Sequence, residues 1–284
     1  MRIRTSENIH QFQTQLFQRL GAYSLQGLLM NDKHEFTAAV EAVEYEAGDE
    51  KGKLPFREPE IYARYILARE AGIPLFILCY MDSVYKILSV REENGRVKLR
   101  MAHQFSEKEF IQWWGELKQT IQTKQLNNGG EPRIGETIID SVLRKYGYEW
   151  GGNIDGFVLT EDRNHIEYVI DNISVSQPNL ADEPSHYFHS PNPKHGPRYE
   201  GWYAAVKLAA QLQVPHLLFT IDKKEQMLEH IGLTVIERLT PDGIFFAGGV
   251  TPDHNILCGL ENIVQNVQQK ARFAVPPVLQ EKDA

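Results

Sequence analysis

Cysteine is scarce in this chain: there are two, Cys79 and Cys258, far apart in the sequence. That count excludes a disulfide-stapled scaffold and points to a reducing, cytoplasmic setting, with Cys79 read as a buried thiol at the end of an apolar run. Long hydrophobic runs are missing too. None approaches the roughly 18 residues that a membrane-spanning helix needs, so no membrane partner is expected. The stretch MRIRTSENIHQFQTQLF has two arginines but no apolar core and no small-residue cleavage site, and so does not read as a secretory signal. An excess of positive charge is also absent: 30 Lys+Arg stand against 38 Asp+Glu, a net charge of −8. Residues 1–130 hold 17 of each sign, whereas residues 131–284 hold 13 basic against 21 acidic. Neither half coats polyanions by bulk charge, although a local basic cleft is compatible with this composition. A glycine-rich phosphate loop, a G-x-S-x-G elbow and a cysteine–histidine constellation are all lacking, which leaves a small-molecule enzyme without support. Ala247-Gly248-Gly249-Val250 opens no amphipathic helix and reads as a turn.

What is present suits a globular protein of one large domain or two ordinary ones, with 42% hydrophobic and 24% charged residues over 284 positions. Comparing the chain with itself is informative. EIYARYILAREAGIPLFILCY (Glu60 to Tyr80) matches EGWYAAVKLAAQLQVPHLLFTID (Glu200 to Asp222). Each reads as an aromatic-rich helix, a turn closed by Ile73-Pro74 or Val214-Pro215, and an apolar strand, with a second apolar run following. Proline is tolerated at the first strand position because no ladder donor is needed there. Upstream, ENIHQFQTQLFQRLG, LQGLLM and TAAVEAVEYE rhyme with GETIIDSVLRKYG, NIDGFVL and YVIDNISV. Each half thus reads helix–strand–strand–helix–strand–strand. FSEKEFIQWWGELKQTIQTKQ reads as a closing amphipathic helix with a Ser106/Glu109 capping box. LNNGGEP, 126–132, reads as a linker between domains 1–125 and 133–284. The tail after Ala271 reads as extended.

Two strands each carry one aspartate in a greasy run, Asp155 in IDGFVL and Asp171 in YVIDNISV. A carboxylate buried in a strand is costly unless its charge is compensated. Two on adjacent strands suit a hard divalent cation such as Mg²⁺; the other reading places each at a strand end, solvated or capping a turn.

This order of elements resembles the PD-(D/E)XK, or restriction-endonuclease-like, superfamily. The resemblance covers most of residues 131–240 and rests on Glu136 in the first helix, Asp155 in the first motif strand and Asp171 in the next. It implies an α/β fold of two tandem restriction-endonuclease-like domains, each a mixed central sheet flanked by helices, with the N-terminal copy degenerate. It also implies a Mg²⁺-dependent nuclease acting on DNA. Asp155 and Asp171 would hold one or two Mg²⁺ ions that activate water, and Lys207, or a second metal, would stabilise the transition state. Glu136 would bind a second ion or orient the water, or else is an ordinary first-turn glutamate favoured by the helix dipole.

The sequence also departs from the family pattern. Ile173 stands where the family has lysine, so the amine would have to come from Lys207 on the following helix, whose other reading is a solvent-facing lysine. In the first half Gln26 aligns with Asp155 and the next strand offers Glu41, Glu44 and Glu46. One reading is an active arrangement of Asp32 with Glu44 and Glu46, glutamate standing where lysine is usual. The other is a half that has lost the metal site and serves structure, dimerisation or substrate contact. The long segment between Asp171 and the second helix holds Tyr187, Lys194 and Arg198. These residues suit base stacking and phosphate contact, or pack as a surface loop. His186-x-x-His189 has no partner pair for zinc. The alternative function is a non-catalytic scaffold, or a DNA- or protein-binding protein, that retains a degenerate nuclease fold. Homo-oligomerisation is compatible with either.

Overall fold

The computed structural model describes residues 2–3, 11–45, 53–119, 137–148, 150–175, 184, 202–222, 230–240, 243–247, 256–259 and 262–280. The first half provides β1 (Arg2–Ile3), α1 (Gln11–Leu20), β2 (Tyr23–Met30), β3 (Phe36–Glu44), α2 (Glu58–Glu70), β4 (Leu75–Met81), β5 (Val84–Glu93), β6 (Arg96–Phe105) and α3 (Glu107–Lys118). The second provides α4 (Ile138–Lys145), β7 (Gly152–Leu159), β8 (Ile166–Val175), α5 (Tyr203–Leu212), β9 (His216–Asp222), β10 (His230–Thr240), β11 (Gly243–Phe246), β12 (Ile256–Gly259), α6 (Ile263–Phe273) and β13 (Val278–Leu279). The fold is α/β with mixed sheet pairing. The expected 126–132 linker lies outside the described residues.

Both halves pair their strands in one pattern. β2–β3 is antiparallel, β3–β4 parallel and β4–β5 antiparallel. β7–β8, β8–β9 and β9–β10 repeat that series. The crossover to the parallel strand is made by α2 in one case and α5 in the other. Each helix ends on a residue with positive φ, Gly72 at 72° and Gln213 at 56°, in the left-handed conformation that closes a helix. Pro74 and Pro215 then accept hydrogen bonds from Ala39 and Val169 at 2.9 and 3.0 Å, which locks each new strand beside its neighbour in the same register.

The chain forms two compact units, and these do not follow the expected division at 126–132. One comprises Met1–Thr5 and Leu25–Asn153; the other comprises Ser6–Ser24 and Ile154–Ala284. Each half therefore lends its first helix to the other half's unit. The reason lies in the cores. In the first unit Ile139, Val142 and Leu143 of α4 pack with Leu29, Val40, Leu78, Phe110 and Trp114. Helix α4 starts there through a Thr137–Asp140 capping box, and the Glu44 carboxylate at the end of β3 accepts the Ile139 N–H at 2.7 Å. Burial holds the Glu44 carboxyl above its usual range. In the second unit Leu16 and Leu20 of α1 pack with Val158, Tyr168, Ile170, Leu217 and Phe219. A fully buried leucine contributes about 1.5–3 kcal/mol, so each helix is held where its apolar stripe is covered.

The Ser106/Glu109 capping box of α3 forms as expected, with Ser106 N–H donating to Glu109 at 2.8 Å. Phe105 and Phe110 pack with the Trp113 and Trp114 rings of that helix. Cys79 is buried and not in a disulfide; burial pushes its thiol up to about 11. No helix among the described residues is long and apolar enough to cross a membrane. The tail after Ala271 first completes α6 and then runs extended, its β13 pairing parallel to β10.

Candidate functional site

Asp155 and Asp171 come together, as adjacent strands demand, and both are buried, at 9% and 2% relative exposure. The regular β7–β8 ladder starts at the Gly156–Ile170 pair. One residue before it, side chains take over from backbone. The Asp155 N–H donates to the Asp171 carboxyl, which counters part of the burial cost there. The Asp155 carboxylate in turn accepts the Asn172 N–H at 3.1 Å and a second bond from the Asn172 side-chain amide. The remaining partner of Asp171 comes from β9: Nε2 of His216 lies 3.0 Å from Asp171 Oδ2. His216 is fully buried, and its Nδ1 has no hydrogen-bond partner among the described residues.

Desolvation governs the electrostatics of this pair. Burial raises the Asp171 carboxyl well above the usual range and depresses His216 to about 3. Both changes favour the neutral forms, because an unshared charge in a dry interior is costly.

The first half repeats this arrangement with different chemistry. The β2–β3 ladder reaches the Gly27–Val40 pair, and one residue before it Gln26 stands opposite Glu41. The Gln26 N–H donates to Glu41 Oε1 at 3.1 Å, and Gln26 Oε1 accepts the Ala42 N–H at 2.6 Å. Gln26, Glu41 and Ala42 therefore do what Asp155, Asp171 and Asn172 do. The counter-group differs. Glu41 is fully buried, and Arg64 of α2 meets it with Nε at 2.7 Å while also donating to the Glu60 carbonyl. Matching Ile73-Pro74 to Val214-Pro215 places Arg64 level with Ala205 and Leu75 level with His216. One copy neutralises its buried acid from the helix and the other from the following strand.

The glycines beside each knot admit close packing. A Cβ on Gly27 would lie 2.5 Å from Nε1 of Trp150, which donates to the Gln26 carbonyl at 2.8 Å. A Cβ on Gly156 would lie 3.4 Å from the Phe17 ring of α1.

Lys207 is half-buried on α5 and lines a cavity of about 600 Å³ with Gln211, Gln213, Pro276, Pro277 and Leu279. Neither aspartate lines that cavity. Its neighbours Val206 and Leu208 are both fully buried, and Ile173, at the family's lysine position, packs in the core with Val206 and Leu218. Glu136, Tyr187, Lys194, Arg198, His186, His189 and Glu46 lie outside the described residues. Asp32 is exposed in the β2–β3 turn. Among the described residues no group of three or more His, Cys, Asp and Glu side chains is placed to hold a metal ion.

Sequence reasoning singled out the two aspartates but missed His216, and it took neither Glu41 nor Arg64 as an aspartate-like partner set. The correspondence lies in strand pairing: Ala39 pairs with Leu75 as Val169 pairs with His216, which sets Glu41 level with Asp171, and the offset between the two prolines does not mark it. No protein-family model, no curated protein and no solved structure matches this chain.

Proposed function

We propose that this chain is a non-catalytic scaffold that binds partner proteins, built from two degenerate restriction-endonuclease-like copies. The observation that carries this reading is the doubled knot. A catalytic carboxylate must offer lone pairs to a metal or to water. Here both Asn172 bonds fall on Asp155 Oδ2, and Asp171 is engaged by the Asp155 N–H and by His216. The other copy spends the equivalent groups in the same way without any pair of aspartates. A network that survives the exchange of Asp for Gln and Glu serves strand pairing in both copies.

The second reading is the Mg²⁺-dependent DNA nuclease. It is favoured by the placement of two carboxylates within one network on adjacent strands, with Asp155 and Asp171 as metal ligands. Calorimetric titration with Mg²⁺ and Mn²⁺, run beside a plasmid-cleavage assay on wild type and on Asp155→Asn/Asp171→Asn, separates the two. The scaffold reading expects no saturable metal binding and no cleavage from the folded wild type. Metal-dependent cleavage that disappears in the double variant would overturn it in favour of the nuclease.

A further inference from the structure

The outermost strand of the first unit stands apart from the rest of the sheet. β6 pairs with β5 alone among the described residues. Eight of its ten residues are exposed, so neither face is covered along most of its length. The two-residue turn Asn94-Gly95, with φ of 53° and 72°, gives the hairpin the twist of a tight β-turn. An open edge strand presents alternate N–H and C=O groups to any extended segment that lies beside it.

Register divides its side chains by chemistry, because directly paired residues share a face. Arg96, Lys98 and Arg100 pair with Glu93, Arg91 and Ser89. That face carries four cations and one carboxylate, and Glu93 is held by Arg100 at 2.6 Å. Val97, Leu99 and Met101 pair with Glu92, Val90 and Leu88 on the other face, and Leu99 and Met101 are 38% and 55% exposed. The unit offers an apolar face, a cationic face and, among the described residues, an unfilled row of backbone groups along one strand of about 33 Å.

We propose that β6 is a docking edge for an extended acidic peptide segment of a partner protein, whose residues alternate carboxylate and aliphatic. The segment adds as a further strand, its carboxylates beside Arg91, Arg96 and Lys98 and its aliphatic side chains beside Leu99 and Met101. A second copy of this chain is the poorer occupant. Two β6 strands paired about a twofold axis at Lys98 would set Arg96 against Arg100 and Lys98 against Lys98, and pairing about Arg100 would set that arginine against its copy; like charges opposite one another in a sheet are destabilising. The inference rests on the binding-scaffold reading and names its partner class.

The test uses the full chain and a fluorescein-labelled peptide of alternating glutamate and valine, followed by fluorescence anisotropy. A lysine–valine peptide and a peptide with the same glutamates and valines in two blocks serve as comparisons. Saturable binding of the alternating acidic peptide alone is expected, together with new hydrogen-exchange protection of the β6 amides. Arg96→Glu/Lys98→Glu, checked for an unchanged circular dichroism spectrum, is expected to weaken binding about tenfold. Met101→Lys weakens it without reversing the preference for acid. Equal binding of the lysine peptide, or no binding of any peptide, would overturn the proposal. So would concentration-dependent dimerisation abolished by Lys98→Glu. Failure here leaves the cleavage and metal results untouched, so the two readings fail separately.

Discussion

Replacing Asp171 with asparagine should expose the pH dependence of stability that its partner His216 imposes, and the outcome follows from two opposite shifts. Asp171 is raised in the folded state, so its contribution is full below its unfolded value of 3.8 and is lost as pH rises toward the folded value. His216 is depressed from 6.5 to about 3, so its contribution is full above 6.5 and is lost as pH falls toward 3. The two dependences have opposite sign, so in the wild type each offsets the other above the unfolded Asp171 value of 3.8 and below the unfolded His216 value of 6.5. Asp171→Asn keeps the geometry, because the amide carbonyl can accept the Asp155 N–H and the amide can donate to His216. It leaves the His216 penalty unopposed. At 1.36 kcal/mol per unit, the variant should lose about 2 kcal/mol on going from pH 6.5 to 5. His216→Gln should show the mirror image, losing stability as pH rises from about 4 at up to about 1.4 kcal/mol per unit. Urea denaturation followed by far-ultraviolet circular dichroism across that pH range supplies the slopes. If both variants keep the wild-type slope, the two groups are not the buried, coupled pair described here.

Two further outcomes follow from the equivalent knot. Arg64→Ala leaves the Glu41 carboxylate buried without its counter-ion, and thermal unfolding should register a loss of about 3–5 kcal/mol, whereas Arg64→Met with Glu41→Leu should recover most of it. Gly27→Ala drives a methyl group against the Trp150 indole, and should cost about 1–3 kcal/mol with a change in tryptophan fluorescence.

Much of the fold was legible because its signals are local. Ile73-Pro74 and Val214-Pro215 mark where helices give way to strands, and apolar runs such as LFILCY and HLLFTI need no partner to be read as buried. The aspartates stood out for the same reason, as single charges in greasy strands. What neutralises them was not legible, since Arg64 and His216 come from different elements and neither follows a period. Placement of a side chain opposite a buried acid depends on register, which sequence alone leaves open by two residues at a time. β6 was overlooked because RVKLRMAHQF sets charges on one face and apolar residues on the other with most of both exposed, a pattern without a core to point at. The assignment of α1 and α4 to units was hidden altogether. An amphipathic stripe says that a helix must cover something apolar, never which sheet.

That exchange of helices has a consequence for how the chain is made and cut. During synthesis α1 emerges first, yet the surface that shelters Leu16 and Leu20 is built from strands after Ile154. The burial of Leu16 and Leu20 therefore requires strands that follow α4 in the chain, whereas the first unit needs nothing beyond Asn153. The same braiding defeats dissection. Severing the chain anywhere between α3 and α4 yields two fragments that each carry a helix belonging to the other, so neither is a finished body alone. Mixed together, the fragments should recombine as complementary pieces, the way a clasp does.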